Sequence, residues 1–422
     1  MRPAIRAGAR AGDPQALLIR DAATRANPYP VYDRIRAAGP VVRGRFALTT
    51  ARHDVVSDIL RHPDFGVGFP AEAVPTPIAR ATAWARDPGA LGPVEPPSML
   101  AVDGPEHARY RRLVSKAFTA RAVDALRDDV ERIAEELLDG LEKTERTDLV
   151  AAYAAALPVR VIAGVLGVPD AMQPTFLRWG RDLTPSLDIE MSYRAFRRYE
   201  AAQRELNAWL LAHFDRLRAA PGVDLLSRVI LAGRAEDGPE LTDAELTAVA
   251  GLVLTAGFET TVNLIGNAVV LLLAHPDQLD WLRGNPRGWA NAVDEVLRHD
   301  SPVANTARHA AREVSIHGIT VARHEFVALL LAGANRDPAV FAEPARFDVN
   351  RPNARDHLAF SAGSHYCLGA ALARAEGEIG LRLLFERFGG LSLAGTPHRR
   401  PTRVLHGWAQ IPVRLTTPAR AA

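Results

Sequence analysis

Along the 422-residue chain, apolar positions fall mainly into Ala-rich runs with a helical repeat. The pattern predicts a mostly helical protein. Strand-like runs are few and short: Val41 to Thr49, Val314 to Val321, Phe326 to Leu331 and Ala409 to Leu415. The β portion is therefore expected to be minor. The strongest run, LTDAELTAVAGLVLTAGFETTVNLIGNAVVLLLAHPDQ, carries Thr242 with Glu245 three residues on, and Pro276 near its far end. Thr followed by Glu at this spacing is a capping box, and proline stops a helix. About thirty residues at 1.5 Å each span roughly 45 Å, the width of a domain. Being apolar nearly all round, this helix should be buried. Glu259, Asn263 and Asn267 interrupt it, which argues against a membrane span. Helix breakers cluster from Phe65 to Pro97. So long a Pro-rich stretch inside a compact chain is either disordered or a functional lid.

Composition changes this picture little. The chain is 48% hydrophobic and 24% charged with a formal net charge of +2, as in an ordinary globular protein. That balance gives no case for nucleic acid or a membrane surface as partner. A single cysteine forms no internal disulfide and suits a reducing cytoplasm. The opening MRPAIRAGARAGDPQALLIR has no apolar leader core. Residues 1–25 are expected as a flexible tail, and 26–422 as one catalytic domain with a helix-rich and a small β-rich part.

Four constellations could carry chemistry. Ala256-Gly257-Phe258-Glu259-Thr260-Thr261 lies inside the long helix. Gly and β-branched Thr are poor helix formers, and a buried Glu costs free energy unless paired or used. Either a satisfied polar pair sits beside a packing glycine, or a loosened helix offers an acid, Glu259, and a hydroxyl, Thr260, for proton delivery. Glu295 and Arg298 stand at i, i+3 on one helix face. By spacing alone they read as a surface ion pair, to which Arg346 of PARFD could add. His107 and Arg111, at i, i+4, present either a solvated basic face or two cations for an anionic ligand.

The fourth is FSAGSHYCLG, residues 360 to 369, which holds Cys367, the sole cysteine. Gly363 and Gly369 let backbone amides approach the sulfur. Such donors favour a thiolate, a form that suits haem iron. An inert buried thiol and a Cys-His nucleophile are the alternatives. The amphipathic run after Cys367 predicts a helix whose positive end lies near the sulfur.

Taken together, the four resemble the cytochrome P-450 superfamily of haem-thiolate monooxygenases. Phe360, Gly363, His365, Cys367 and Gly369 match its Phe-x-x-Gly-x-His-x-Cys-x-Gly signature. Ala256-Gly257-x-Glu259-Thr260-Thr261 matches the oxygen-activation motif, and Glu295-x-x-Arg298 the motif of the helix supporting the haem pocket. EHARYRRLVSKAF is similar to the bacterial helix that reaches the haem propionates. Order and spacing agree from about Pro28 to near the C-terminus.

The resemblance implies a mostly α fold with a minor β portion and a long central helix over a buried haem b. It implies Cys367 as the iron ligand and His107, Arg111, Arg308 and His365 as four cations for two propionates. Phe360, Gly369 and Ala256 would line the haem. Glu259 and Thr260 would relay protons to oxygen, and Glu295, Arg298 and Arg346 would form a structural network. The substrate pocket would take Leu252, Thr255, Ala256, Val303, Ala304 and Leu405, with Phe69 to Leu100 and the helices around Leu183 and Met191.

The reaction implied is insertion of one oxygen atom from O2 into a hydrophobic small molecule: a natural product, terpenoid, sterol or fatty acid. Electrons would come from a ferredoxin and its reductase, in a cytoplasmic monomer without a membrane anchor. Arg109, Arg112 and Lys116 are candidate docking charges or simply a solvated face. Oxidative C–C or C–N coupling is an alternative outcome, and a catalytically silent helper a further one. Two departures stand out. Ser361 replaces a frequent Gly, and Arg323-His324 replaces the usual turn between two strands. A different turn there is favoured over a substrate-facing His.

Overall fold

The computed structural model describes residues 8–44, 47–68, 92–115, 118–188, 191–235 and 241–416. Helices dominate. Those that build the site are α1 (Gly104–Ser115), α2 (Arg127–Asp139), α3 (Ala156–Val165), α4 (Gln173–Leu183), α5 (Tyr193–Ala219), α6 (Asp243–Ala274), α7 (Trp289–His299) and α8 (Ala370–Arg387).

Helix α6 is the predicted central helix. Thr242 Oγ1 accepts from the Glu245 amide at 3.3 Å, and the Glu245 carboxylate accepts from the Thr242 amide at 2.7 Å. The capping box is thus formed. The helix ends at Ala274, and Pro276 opens the next one. It is long and apolar enough to cross a membrane, yet it is mostly buried against protein. Its neighbours are α3, α4, α5, α7 and α8.

The β portion is minor and broken into short pieces. Strands β1 (Val42–Arg43), β2 (Leu48–Thr50), β3 (Phe65–Gly66), β4 (Thr306–Ala310) and β5 (Phe326–Leu329) form one sheet in the order β1-β2-β5-β4-β3. Among the described strands, only β2 and β5 pair in parallel. The predicted run 314–321 is a hairpin that reverses at His317-Gly318, both with positive φ. Between Val321 and Phe326, His324 takes φ 65° and its amide donates to Ala310 O at 2.7 Å. Arg323-His324 therefore forms a turn, as favoured.

The expected tail is corrected over residues 14–25. Two short helices, Pro14–Arg20 and Ala22–Ala26, are capped by Asp13 and Asp21. Gln15 Nε2 ties the first to Ala47 O at 2.6 Å. The Asp caps supply local order that the Arg/Ala composition does not announce. Most of the Pro-rich segment, residues 69–91, and Lys116 lie outside the described residues.

Candidate functional site

Cys367 lies just before α8. Its amide donates to Phe360 O at 2.9 Å, closing the loop that carries the sulfur. Gly363 in that loop has φ 69°, and a Cβ there would meet Leu60 O at 2.3 Å, so only glycine fits. A Cβ at Gly369 would meet no atom within 4 Å beyond its chain neighbours. Ser361 adopts φ 62° where glycine is the strain-free choice. That conformation costs a side chain about 1–2 kcal/mol. Its hydroxyl is buried without a partner among the described residues. Burial pushes the Cys367 thiol up, against the Gly369 amide and the Arg111 and Arg374 cations. The predicted amide donor is present, but alone it does not outweigh burial.

A second cluster faces the sulfur loop. On α1, the His107 ring lies 4.2 Å from the His365 ring. His365 Nε2 is 2.9 Å from Asp103 Oδ1, while the Val67 amide donates to Asp103 Oδ2 at 2.7 Å. Against burial, these bonds hold the Asp103 carboxyl below the usual range. Burial, with His365 and Arg111 nearby, pulls His107 down to about 4. That environment favours the neutral imidazole. Arg308, on β4, is buried and donates to Ala307 O at 2.9 Å. Neither Arg111 nor Arg308 has a carboxylate within ion-pair distance among the described residues. Burial lowers both, Arg308 to about 10 despite Asp103.

On α6, Leu252, Ala256 and Thr260 recur four apart as a half-buried stripe on a largely buried helix. Thr260 Oγ1 donates to Ala256 O at 2.7 Å. Thr255, three residues beyond Leu252, is fully buried with its hydroxyl unpartnered among the described residues. Glu259 turns into protein. Thr184 Oγ1 donates to its Oε2 at 3.4 Å, and Arg400 Nη1 sits 2.7 Å from Oε1 without hydrogen-bond alignment. Burial raises the Glu259 pKa, against the opposing pull of Arg400 and Thr184. Val303 and Leu405 meet across an antiparallel bridge. Ala304 instead packs with Tyr32, Ile35 and Leu330. Adjacent residues of an extended segment face opposite ways, and Val303 packs against the separate cluster that holds Leu48, Val327 and Leu329.

Glu295 and Arg298 are no surface pair: both side chains are wholly buried. Arg298 Nε and Nη2 donate to the two carboxylate oxygens at 2.7 and 2.8 Å. The second arginine of the network is Arg351, whose Nε lies 3.2 Å from Glu295 Oε2. Arg346 gives only its backbone carbonyl, while its exposed guanidinium reaches toward Glu343. The Arg346 assignment is corrected accordingly. Arg351, Asp103 and Arg400 were not foreseen. Among the docking charges, Arg109 is engaged by Glu245.

These features suit an iron porphyrin: a lone half-buried thiol, a half-buried stripe along α6, and two arginines, Arg111 half-buried and Arg308 buried, without carboxylate partners among the described residues. The comparisons decide the matter. The family model Cytochrome P-450 matches residues 92–285 and 290–409. The chain belongs to the cytochrome P-450 family. A cytochrome P-450 140 of Mycobacterium tuberculosis is 49% identical over 416 residues, 98% of this chain and 94% of its own length. The 6-deoxyerythronolide B hydroxylase of Saccharopolyspora erythraea is 43% identical, covering 74% of this chain and 76% of its own. Among solved structures, cytochrome P-450 BioI, in complex with acyl carrier protein bearing hexadec-9Z-enoic acid, superposes with TM-score 0.85 at 32% identity. That likeness covers 93% of this chain and 99% of that one. As a cytochrome P-450 monooxygenase, the chain is an oxidoreductase of the mostly helical P-450 fold, and the family implies a haem cofactor.

Proposed function

We propose that this cytochrome P-450 binds haem b through Cys367 and inserts one oxygen atom from O2 into a large, mostly apolar natural product or lipid. The observation that carries the reading is the placement of Cys367 in a glycine-dependent loop just before α8, within reach of the Arg111 and Arg374 cations. Arg111 and Arg308 would receive the propionates, with His365 held by Asp103 and His107 as a neutral donor. When bound, the haem supplies oxygen activation and one-electron chemistry, with the thiolate favouring O–O cleavage. Thr260 and Glu259 do the protein's share of proton handling. A buried carboxyl with a raised pKa holds a proton closer to neutrality than an exposed one. The half-buried Leu252, Ala256 and Val303 exclude water and orient substrate through apolar contact.

The substrate class is supported by relatives named as a 6-deoxyerythronolide B hydroxylase and a vitamin D(3) 25-hydroxylase. A ferredoxin donor, a monomeric state and a cytoplasmic location complete the proposal. The test is the spectrum of the dithionite-reduced, carbon-monoxide-bound protein. A far red-shifted Soret band is expected, and it should vanish in Cys367→Ala. Haem incorporation without that band overturns thiolate ligation. Colourless protein overturns the haem assignment. Substrates are then found by the spin-state shift they induce, and product analysis separates hydroxylation from coupling.

A further inference from the structure

Asp294 precedes Glu295 on α7 and is equally buried, yet it serves a different partner set. Its Oδ1 accepts from Arg374 Nε at 2.6 Å and lies 3.3 Å from His357 Nε2. Its Oδ2 accepts from Arg355 Nε at 2.9 Å. Arg374 stands near the start of α8, seven residues beyond Cys367, close enough for its charge to act on the sulfur. Its guanidinium lies 4.7 Å from the centroid of the Phe360 ring, and Nη1 is 3.4 Å from Tyr366 Oη. His357 packs on the same ring at 5.6 Å. Phe360 in turn accepts the Cys367 amide. One buried carboxylate thus fixes two side chains that touch the ring beside the sulfur. Nothing in proton delivery or substrate contact uses it.

We propose that Asp294 is a positioning residue that anchors the Arg374 guanidinium beside Cys367, and that this cation raises the reduction potential of the iron ligated there. The inference rests on the haem-thiolate reading above. Reduction adds one negative charge, which a fixed cation close to the ligand stabilises. Arg355 is 73% exposed, so solvent screens it and it contributes little. Arg374 keeps only 24% of its side chain exposed and is the effective charge.

The test is redox titration of haem-loaded protein, performed only on samples whose carbon-monoxide spectrum shows thiolate ligation. Loss of that band in the parent protein would sink the haem-thiolate reading instead. Arg374→Gln should shift the midpoint negative by about a decade in ferric-to-ferrous ratio, 59 mV for one electron. Arg374→Lys should recover most of the shift, and Arg355→Gln should leave the midpoint in place. Asp294→Asn should shift it in the same direction as Arg374→Gln, because the released guanidinium turns toward solvent. A positive shift in Asp294→Asn would overturn the anchoring role. An unchanged midpoint in Arg374→Gln would overturn the inference as a whole, and that variant, at a partly exposed site, serves even where Asp294→Asn does not fold.

Discussion

Two glutamates of this protein are equally buried and both face arginine, yet their surroundings differ in kind. Glu295 is saturated: Arg298 grips both oxygens, Arg351 adds a second guanidinium, and the Asp348 amide donates at 2.9 Å. Arg298 is itself finished off by the carbonyls of Asn335, Pro344 and Arg346. Glu259 has one misaligned cation and one long hydroxyl contact. A saturated buried charge is fixed in space. An under-satisfied one remains free to exchange a proton. The first region holds the fold around the cysteine loop; the second is where a proton can move.

Breaking the saturated side should do most damage. Glu295→Ala strands two buried guanidinium groups, and removing one partner of such a network costs about 3–5 kcal/mol. The expected outcome is loss of cooperative thermal unfolding and of haem incorporation, read by melting curves and the Soret-to-280-nm ratio. Glu259→Gln should behave oppositely. Its melting temperature stays near the parent's, while turnover falls roughly 100-fold, the lower range for a proton-transfer group; product and oxygen consumption measured together would show it.

Glu376 sharpens the contrast as a third case, buried on α8 with its Oε2 unpartnered among the described residues. Burial pushes it up to about 8 from an ordinary 4.5. A raised folded-state pKa gives stability that is full below the ordinary value and lost as pH rises through the folded one. Stability should therefore fall between those two pH values, by up to about 1.4 kcal/mol per unit. Glu376→Gln should flatten the slope in denaturant titrations across that range. Arg400→Gln removes a cation that opposes the rise at Glu259, so the limb of the pH–rate profile set by that carboxyl should move to higher pH. The smallest effect is expected at Ser361→Gly, which relieves a left-handed backbone and should stabilise by about 1 kcal/mol, seen as a small gain in midpoint denaturant concentration.

What the chain discloses in advance follows the range of the interaction. The Thr242-Glu245 cap and the Cys367 loop are local, so their residues sit within a few positions and were legible, as was a mostly helical fold from its period. Arg351 joins Glu295 across 56 positions, and Arg400 meets Glu259 across 141. No spacing rule links such partners; Arg346 was the arginine a short motif offered, and it points the wrong way. Val303 and Ala304 looked interchangeable as small apolar neighbours. Only the fold separates them, placing Val303 against the cluster of Leu48 and Val327 and Ala304 with Tyr32 and Ile35. The lowered pKa of His107 likewise depends on burial first and then on the His365 ring, both supplied by the fold.

Glu245 has a reach beyond the helix end it caps. The same carboxylate accepts from Tyr110 Oη at 2.8 Å and engages Arg109, both on the helix that bears His107 and Arg111. It therefore acts as a fulcrum between two walls. Glu259 sits fourteen residues further along α6, a lever arm of about 21 Å at 1.5 Å per residue. Over that length, a tilt of about 3° at the fulcrum would swing the tip by roughly 1 Å, comparable to the margin that separates a productive approach from an idle one. One carboxylate thus ties the start of α6 to the helix that bears His107 and Arg111.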